Sequence, residues 1–93
     1  MYFTYVLHSD KTGRFYTGST IDLVRRVRDH NAGNTVSTKS GIPWKLVYSE
    51  AFPSLREARQ REREIKAWKS PAYMVKMLGL DPISGERPDS SGR

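Results

Sequence analysis

Five side chains in this sequence are of types that could do chemistry together: Tyr5, Tyr16, Arg26, His30 and Glu62. Phenols and imidazoles exchange protons, a guanidinium presents a planar fork that matches a phosphate, and a carboxylate supplies the hard oxygen that Mg2+ or Mn2+ prefers. Helical angle separates three of them from their like-charged neighbours. In "LVRRVRDH", Leu23, Val24 and Val27 define a buried arc. Arg26 and His30 fall about 60° and 20° from Leu23, stacked one turn apart at the margin of that arc, whereas Arg25 and Arg28 fall about 200° and 140° round, on the outer side. Arg25 and Arg28 read as solvated or phosphate-attracting surface. Arg26 either pairs with Asp22 or Glu62 or clamps a phosphate. His30, at a helix end, either meets backbone carbonyls or takes part in proton transfer.

The second charged helix holds the clearest anomaly. Leu55, Ala58, Ile65 and Trp68 mark its apolar stripe, and Glu62 lies about 20° from Leu55 and 40° from Ala58, inside the stripe. Glu57 has a capping role, and Glu64 sits among Arg56, Arg61 and Arg63 on the charged side. A carboxylate in an apolar stripe costs free energy unless a cation or hydrogen-bond donors satisfy it. Two partners are open: an arginine such as Arg26, or a divalent metal completed by water and substrate oxygens. Magnesium is commonly held through one or two carboxylates, so a single glutamate suffices.

The elements that must position these groups are legible in turn chemistry. Residues 2–8, "YFTYVLH", and 15–19 are strand-like and joined by "DKTG" at 10–13, which predicts a β-hairpin. Ser19 or Thr20 can cap a helix over 21–32, with Asp22 complementing its positive end. Residues 34–43, "NTVSTKSGIP", read as a loop, and 44–52 as a third strand. Ser54 and Glu57 have capping-box spacing for a helix running to Lys69, and Ser70-Pro71 opens a third helix that Gly79 can end. The expected fold is α+β: a small three-stranded, mainly antiparallel sheet flanked by about three helices in the order ββαβαα. The expected domain covers 1–79, followed by a flexible tail at 80–93 rich in proline, glycine and serine.

Composition narrows the partners. Sixteen Lys and Arg against ten Asp and Glu give a formal charge of +6 and a pI near 9.9. Such a surplus on a small body favours polyanions, nucleic acid ahead of an acidic membrane surface. Cysteine is absent, which excludes disulfides, thiolate zinc and a cysteine nucleophile together. No apolar run approaches the roughly 20 residues of a membrane span, so a soluble, cytoplasmic protein is expected. Gly18 stands outside any Gly-x-Gly-x-x-Gly array, and a dinucleotide site has no support. A domain this small hides only about 60% of its unfolded surface, which leaves room for one compact site.

From Tyr2 to about Leu78 the sequence resembles the GIY-YIG nuclease family, most closely its small single-domain members. Phe3-Thr4-Tyr5 stands where Gly-Ile-Tyr would be, with only the tyrosine matching, and Tyr16-Thr17-Gly18 where Tyr-Ile-Gly would be. The stretch from Leu23 to Asn31 resembles the arginine helix. Ser37-Thr38-Lys39, Pro43-Trp44 and Leu46-Val47-Tyr48 resemble the small subgroup, and Ala58-Arg59-Gln60-Arg61-Glu62 with Ile65-Lys66 resembles the helix bearing the metal glutamate. The resemblance implies Tyr5 and Tyr16 as motif tyrosines, Arg26 as the essential arginine, His30 as the frequent histidine a turn later, and Glu62 as the ligand of Mg2+ or Mn2+. It implies hydrolysis of DNA, in repair or recombination, with Lys39, Lys66, Lys69 and Arg25 holding the substrate backbone. Flaps, nicks, branches or a partner protein would select the substrate. Two other readings compete: a catalytically silent nucleic-acid-binding domain in which Arg26 and Glu62 merely pair, and an adaptor that docks its basic second helix on an acidic protein.

Overall fold

The computed structural model describes residues 1–80. The expected flexible tail from residue 80 lies, apart from Leu80, outside the described residues. Strands β1 (Tyr2–Ser9), β2 (Phe15–Thr20) and β3 (Trp44–Phe52) and helices α1 (Leu23–Asn31), α2 (Leu55–Trp68) and α3 (Pro71–Leu78) follow the ββαβαα order, with a short 3-10 helix at Val36–Gly41. The sheet order is β2-β1-β3 and both pairings are antiparallel, so β1 is central and β2 is an edge. The α+β expectation is met.

Alternation along β1 sends its neighbours to opposite faces. Tyr5 and Leu7 enter one core with Trp44, against which Tyr16, Leu23, Val27 and Ile42 pack. Val6 enters the other with Ile65 and Met74, joined by Phe15, Val47, Tyr48, Trp68 and Leu78. Thr4, fully buried, points the same way as Val6, and its hydroxyl donates to the Ala58 carbonyl of α2 at 2.6 Å. Helix α1 therefore covers one face, and α2 with α3 covers the other. A register shift against β3 falls between Val6 and Leu7.

Three local expectations need correction. Helix α1 starts at Leu23 and is capped by Asp22, whose carboxylate accepts the Arg25 amide at 3.1 Å. Ser19 and Thr20 cannot serve, because pairing with Thr4 and Phe3 keeps them in β2. Residues 36–41 form a 3-10 turn, closed by a Thr38 amide bond to the Thr35 carbonyl and tied down by the Trp44 indole donating to the Thr38 carbonyl at 2.7 Å. Val24, expected in the buried arc, is 70% exposed; α1 meets the sheet through Leu23 and Val27. The later helices follow the sequence. Ser54 accepts the Glu57 amide at 3.2 Å to open α2, Ser70 with Pro71 opens α3, and Gly79 closes it in a left-handed turn. Among the described residues no helix is long and apolar enough to cross a membrane.

Candidate active site

Tyr5 anchors the site. It is only 1% exposed, and its strand partner across the hairpin is Gly18. Its phenol crosses the space above that glycine: a Cβ on Gly18 would stand 2.6 Å from the Tyr5 hydroxyl and 2.8 Å from Cζ. The glycine of the second triplet is thus required by the tyrosine of the first, since any larger residue would collide with a buried ring.

The Tyr5 hydroxyl meets Nε2 of His30 at 3.0 Å, and Nδ1 of His30 meets the Thr38 hydroxyl at 2.8 Å. Thr38 donates its own proton to the Thr35 carbonyl, so its oxygen is left to accept from Nδ1–H. That assignment makes Nε2 the acceptor of the Tyr5 proton. His30 is fully buried, deeper than the helix margin expected for it, and it contacts two side chains where backbone carbonyls were an alternative. Burial, and then the Arg26 charge, hold its pKa below the ordinary 6.5, which keeps the imidazole neutral. Burial likewise pushes the Tyr5 phenol up to about 12, with the adjacent Arg26 acting in the opposite direction. Asn31 fixes the end of α1 to β3: its amide donates to the Trp44 carbonyl at 2.9 Å and its oxygen accepts the Trp44 amide at 2.6 Å.

Tyr16 stands nearer to solvent, half-buried, with its ring 4.9 Å from His30 and 6.4 Å from Tyr5. Arg26 is also half-buried; contact with the Tyr5 hydroxyl is the main influence raising its pKa, and the phenols of Tyr5 and Tyr16 both lie within reach of its charge. Neither expected salt bridge of Arg26 is present among the described ion pairs. Asp22 is committed to the helix cap and Glu62 to other partners.

Glu62 accepts from the Ser19 hydroxyl at 2.7 Å and from the Lys66 ammonium at 2.6 Å, with its side chain 19% exposed. It belongs to the α2 face of the sheet, whereas Tyr5, Tyr16, Arg26 and His30 belong to the α1 face. What joins them is the free edge of β2, where Gly18 turns toward Tyr5 and Ser19, one residue on, turns toward Glu62. The charge of Glu62 reaches the Tyr5 phenol around this edge. The apolar stripe of α2 is therefore open at Glu62.

Glu62 suits a hard cation by donor type. The carboxylate is partly exposed, and its one ionic partner, Lys66, has 54% of its side chain in solvent; an exposed pair of this kind contributes only about 0–1 kcal/mol and gives way readily. Among the described residues no cluster of three or more His, Cys, Asp or Glu exists, so any ion here would rest on Glu62 with water and substrate oxygens. Of the residues expected to hold a nucleic-acid backbone, Arg25 and Lys39 are exposed and separate, Arg25 beside Arg26 in a shallow depression of about 220 Å³ and Lys39 on the 3-10 helix. Lys66 and Lys69 border a groove of about 380 Å³ between β2 and the α2–α3 corner. Sequence reasoning missed Ser19, which strand parity opposite to Gly18 would have found, and the partnership of Thr38 with His30, which no periodicity signals.

Two phenols, a histidine and a guanidinium on one side, and a carboxylate on the other, thus lie about the edge strand of a small antiparallel sheet. The profile of the GIY-YIG catalytic domain matches residues 1–76, and the chain belongs to this family, a family of nucleases. It is 42% identical over 67 residues to a UPF0213 protein of Halobacterium salinarum, covering 71% of this chain and 86% of that one. A UPF0213 protein of Streptococcus agalactiae is 43% identical over 65 residues, 69% of this chain and 73% of its own. The solution NMR structure of a UPF0213 protein from Bacillus halodurans superposes with a TM-score of 0.53 at 33% identity, covering 85% of this chain and 84% of that chain.

Proposed function

We propose that this domain is a divalent-metal-dependent DNA endonuclease whose site wraps the free edge of β2. The observation that carries the reading is the grouping of Arg26, Tyr16 and the Tyr5–His30–Thr38 chain on one side of that edge, with Glu62 on the other. Glu62 would hold Mg2+ or Mn2+, which when bound supplies positive charge to the phosphodiester and its leaving 3′ oxygen. Arg26 clamps the scissile phosphate through its guanidinium. Tyr5 is buried and its proton is directed at His30, so it does not serve as the base; its hydroxyl oxygen is left to receive Arg26. Tyr16, nearer to solvent and within reach of the Arg26 charge, would act as the base in its phenolate form, taking the proton of the attacking water and releasing it to solvent after each turnover. The water oxygen bonds to phosphorus, the bond to the 3′ oxygen breaks, and that oxygen is reprotonated from solvent. Arg25, Lys39, Lys66 and Lys69 add salt-dependent, sequence-independent affinity for the backbone.

We extend this to selection by DNA structure, which suits a role in repair. A cleavage panel of plasmid, nicked, flapped and branched DNA with Mg2+, Mn2+ or EDTA tests the proposal. Metal-dependent cleavage that fails in Arg26→Ala and Glu62→Gln supports it; no cleavage of any substrate refutes it. One observation favours a second reading, a silent nucleic-acid-binding domain: Ser19 and Lys66 already satisfy Glu62 without a metal. Tight DNA binding without cleavage is its signature.

A further inference from the structure

The groove beside β2 has a largely apolar lining that the cleavage chemistry does not use. It includes Phe15 of the edge strand, Ile65 of α2, and Pro71 and Met74 of α3. Its rim is cationic: Arg14, Lys66 and Lys69 all border it, and no acidic residue does. A volume of about 380 Å³ lies within the roughly 300–1,000 Å³ of small-ligand sites. The groove also reaches Tyr16 and Thr17, so it is continuous with the candidate site around the strand edge.

Lys69 adds an independent observation. It ends α2 in the left-handed conformation, φ 61°, the kind of position that glycine fills at the end of α3. A side chain held in this strained region at the lip of a groove points to a use for its charge. A continuous duplex offers such a groove only phosphates, since its bases are stacked inside. A single-stranded nucleotide offers both an anion for the rim and a flat ring for the apolar lining, the combination by which single-strand binders work. An extended peptide could pair with the free edge of β2, but three bordering cations, of which only Lys66 has a carboxylate partner among the described ion pairs, match a polyanion better.

Resting on the nuclease reading, we infer that the groove of Phe15, Ile65, Pro71 and Met74 seats an unpaired nucleotide next to the cleaved bond, with Arg14, Lys66 and Lys69 on its phosphates. The substrate class is then DNA with a gap or single-stranded arm at the junction. The test is binding in EDTA, so that it is independent of catalysis, using a duplex with a two-nucleotide gap carrying 2-aminopurine and the same duplex without a gap. Wild type should bind the gapped duplex about tenfold more tightly, the scale expected of one stacked base, with a change in 2-aminopurine emission. Pro71→Glu keeps a residue well suited to a helix N-terminus but places an anion in the groove. It should reduce the preference to about one and abolish the emission change. Phe15→Leu, checked for folding by thermal melting, should act in the same direction. Equal affinity for both duplexes in wild type, or a preference that survives Pro71→Glu, overturns the inference even if cleavage is intact. Binding of an extended acidic peptide at residues 15–17, with no preference for gapped DNA, overturns it in favour of a protein-docking edge. Failure of cleavage with the binding preference intact would instead count against the nuclease reading alone.

Discussion

Replacing Gly18 by alanine tests the packing on which the Tyr5 hydroxyl depends. The added methyl would lie 2.6 Å from that hydroxyl and 2.8 Å from Cζ, well inside van der Waals contact, and Tyr5 has no free space to retreat into at 1% exposure. Either the ring tilts and loses its 3.0 Å bond to His30, or β2 moves away from β1. Overpacking of this kind costs about 1–3 kcal/mol. Removing a strand glycine recovers roughly 0.5–1 kcal/mol through the unfolded state, so the net loss should lie between about 0 and 2.5 kcal/mol, roughly 1 kcal/mol at mid-range. For a domain of this size each kcal/mol moves Tm by about 4–8 °C, which predicts a mid-range fall on the order of 5–10 °C by calorimetry or circular dichroism. Cleavage at a temperature where the variant stays folded should fall further than stability does, because Arg26 loses the phenol beside it. A Gly18→Ala protein that melts at or above wild type with unchanged cleavage would refute the reasoning.

Other expectations follow from single contacts. Thr38→Val keeps the volume but leaves buried Nδ1 of His30 without a partner; it should cost about 1–3 kcal/mol in urea unfolding, and Thr38→Ser should restore most of it. His30 has a folded pKa below 6.5, so its contribution to stability is complete above about pH 6.5 and is lost as pH falls through the folded value. Melting temperature should therefore drop on acidification below pH 6.5 more in wild type than in His30→Gln. For Tyr5 the sign is reversed: raised to about 12, it favours folding below pH 10, and this contribution is lost as pH rises toward 12. Tyrosinate absorbance should show one phenol missing from the titration of Tyr5→Phe only at that alkaline end. Lys66→Met frees Glu62 from its ammonium and should leave stability within about 1 kcal/mol while tightening Mn2+ binding, measured by paramagnetic relaxation of the nearby amides.

The fold was readable because its punctuation is local. Asp10 to Gly13, Ser54, Ser70-Pro71 and Gly79 mark element ends by their own chemistry, and those ends lie where the sequence puts them. The start of α1 was misjudged because Ser19 and Thr20 are good caps in isolation, while strand pairing with Thr4 and Phe3 holds them. Tertiary pairing overrode local preference there. Helical angle rightly distinguished Arg26 from Arg25 and Glu62 from Glu64, but it reports only which side of one helix a residue occupies. It cannot show that the neighbouring strand is an edge, which is why Glu62 looked enclosed and is in fact bordered by Ser19, Lys66 and solvent. The burial of His30 depends on Thr38 from a segment that reads as a loop, a contact with no periodic signature.

The most direct measurement of the central claim is plasmid and gapped-duplex cleavage by Glu62→Gln beside wild type in Mg2+. Glutamine keeps the shape and the acceptor for Ser19 while removing the charge that would hold the metal. The account predicts that cleavage disappears while DNA affinity and melting temperature stay near wild type. Undiminished metal-dependent cleavage by Glu62→Gln would contradict it.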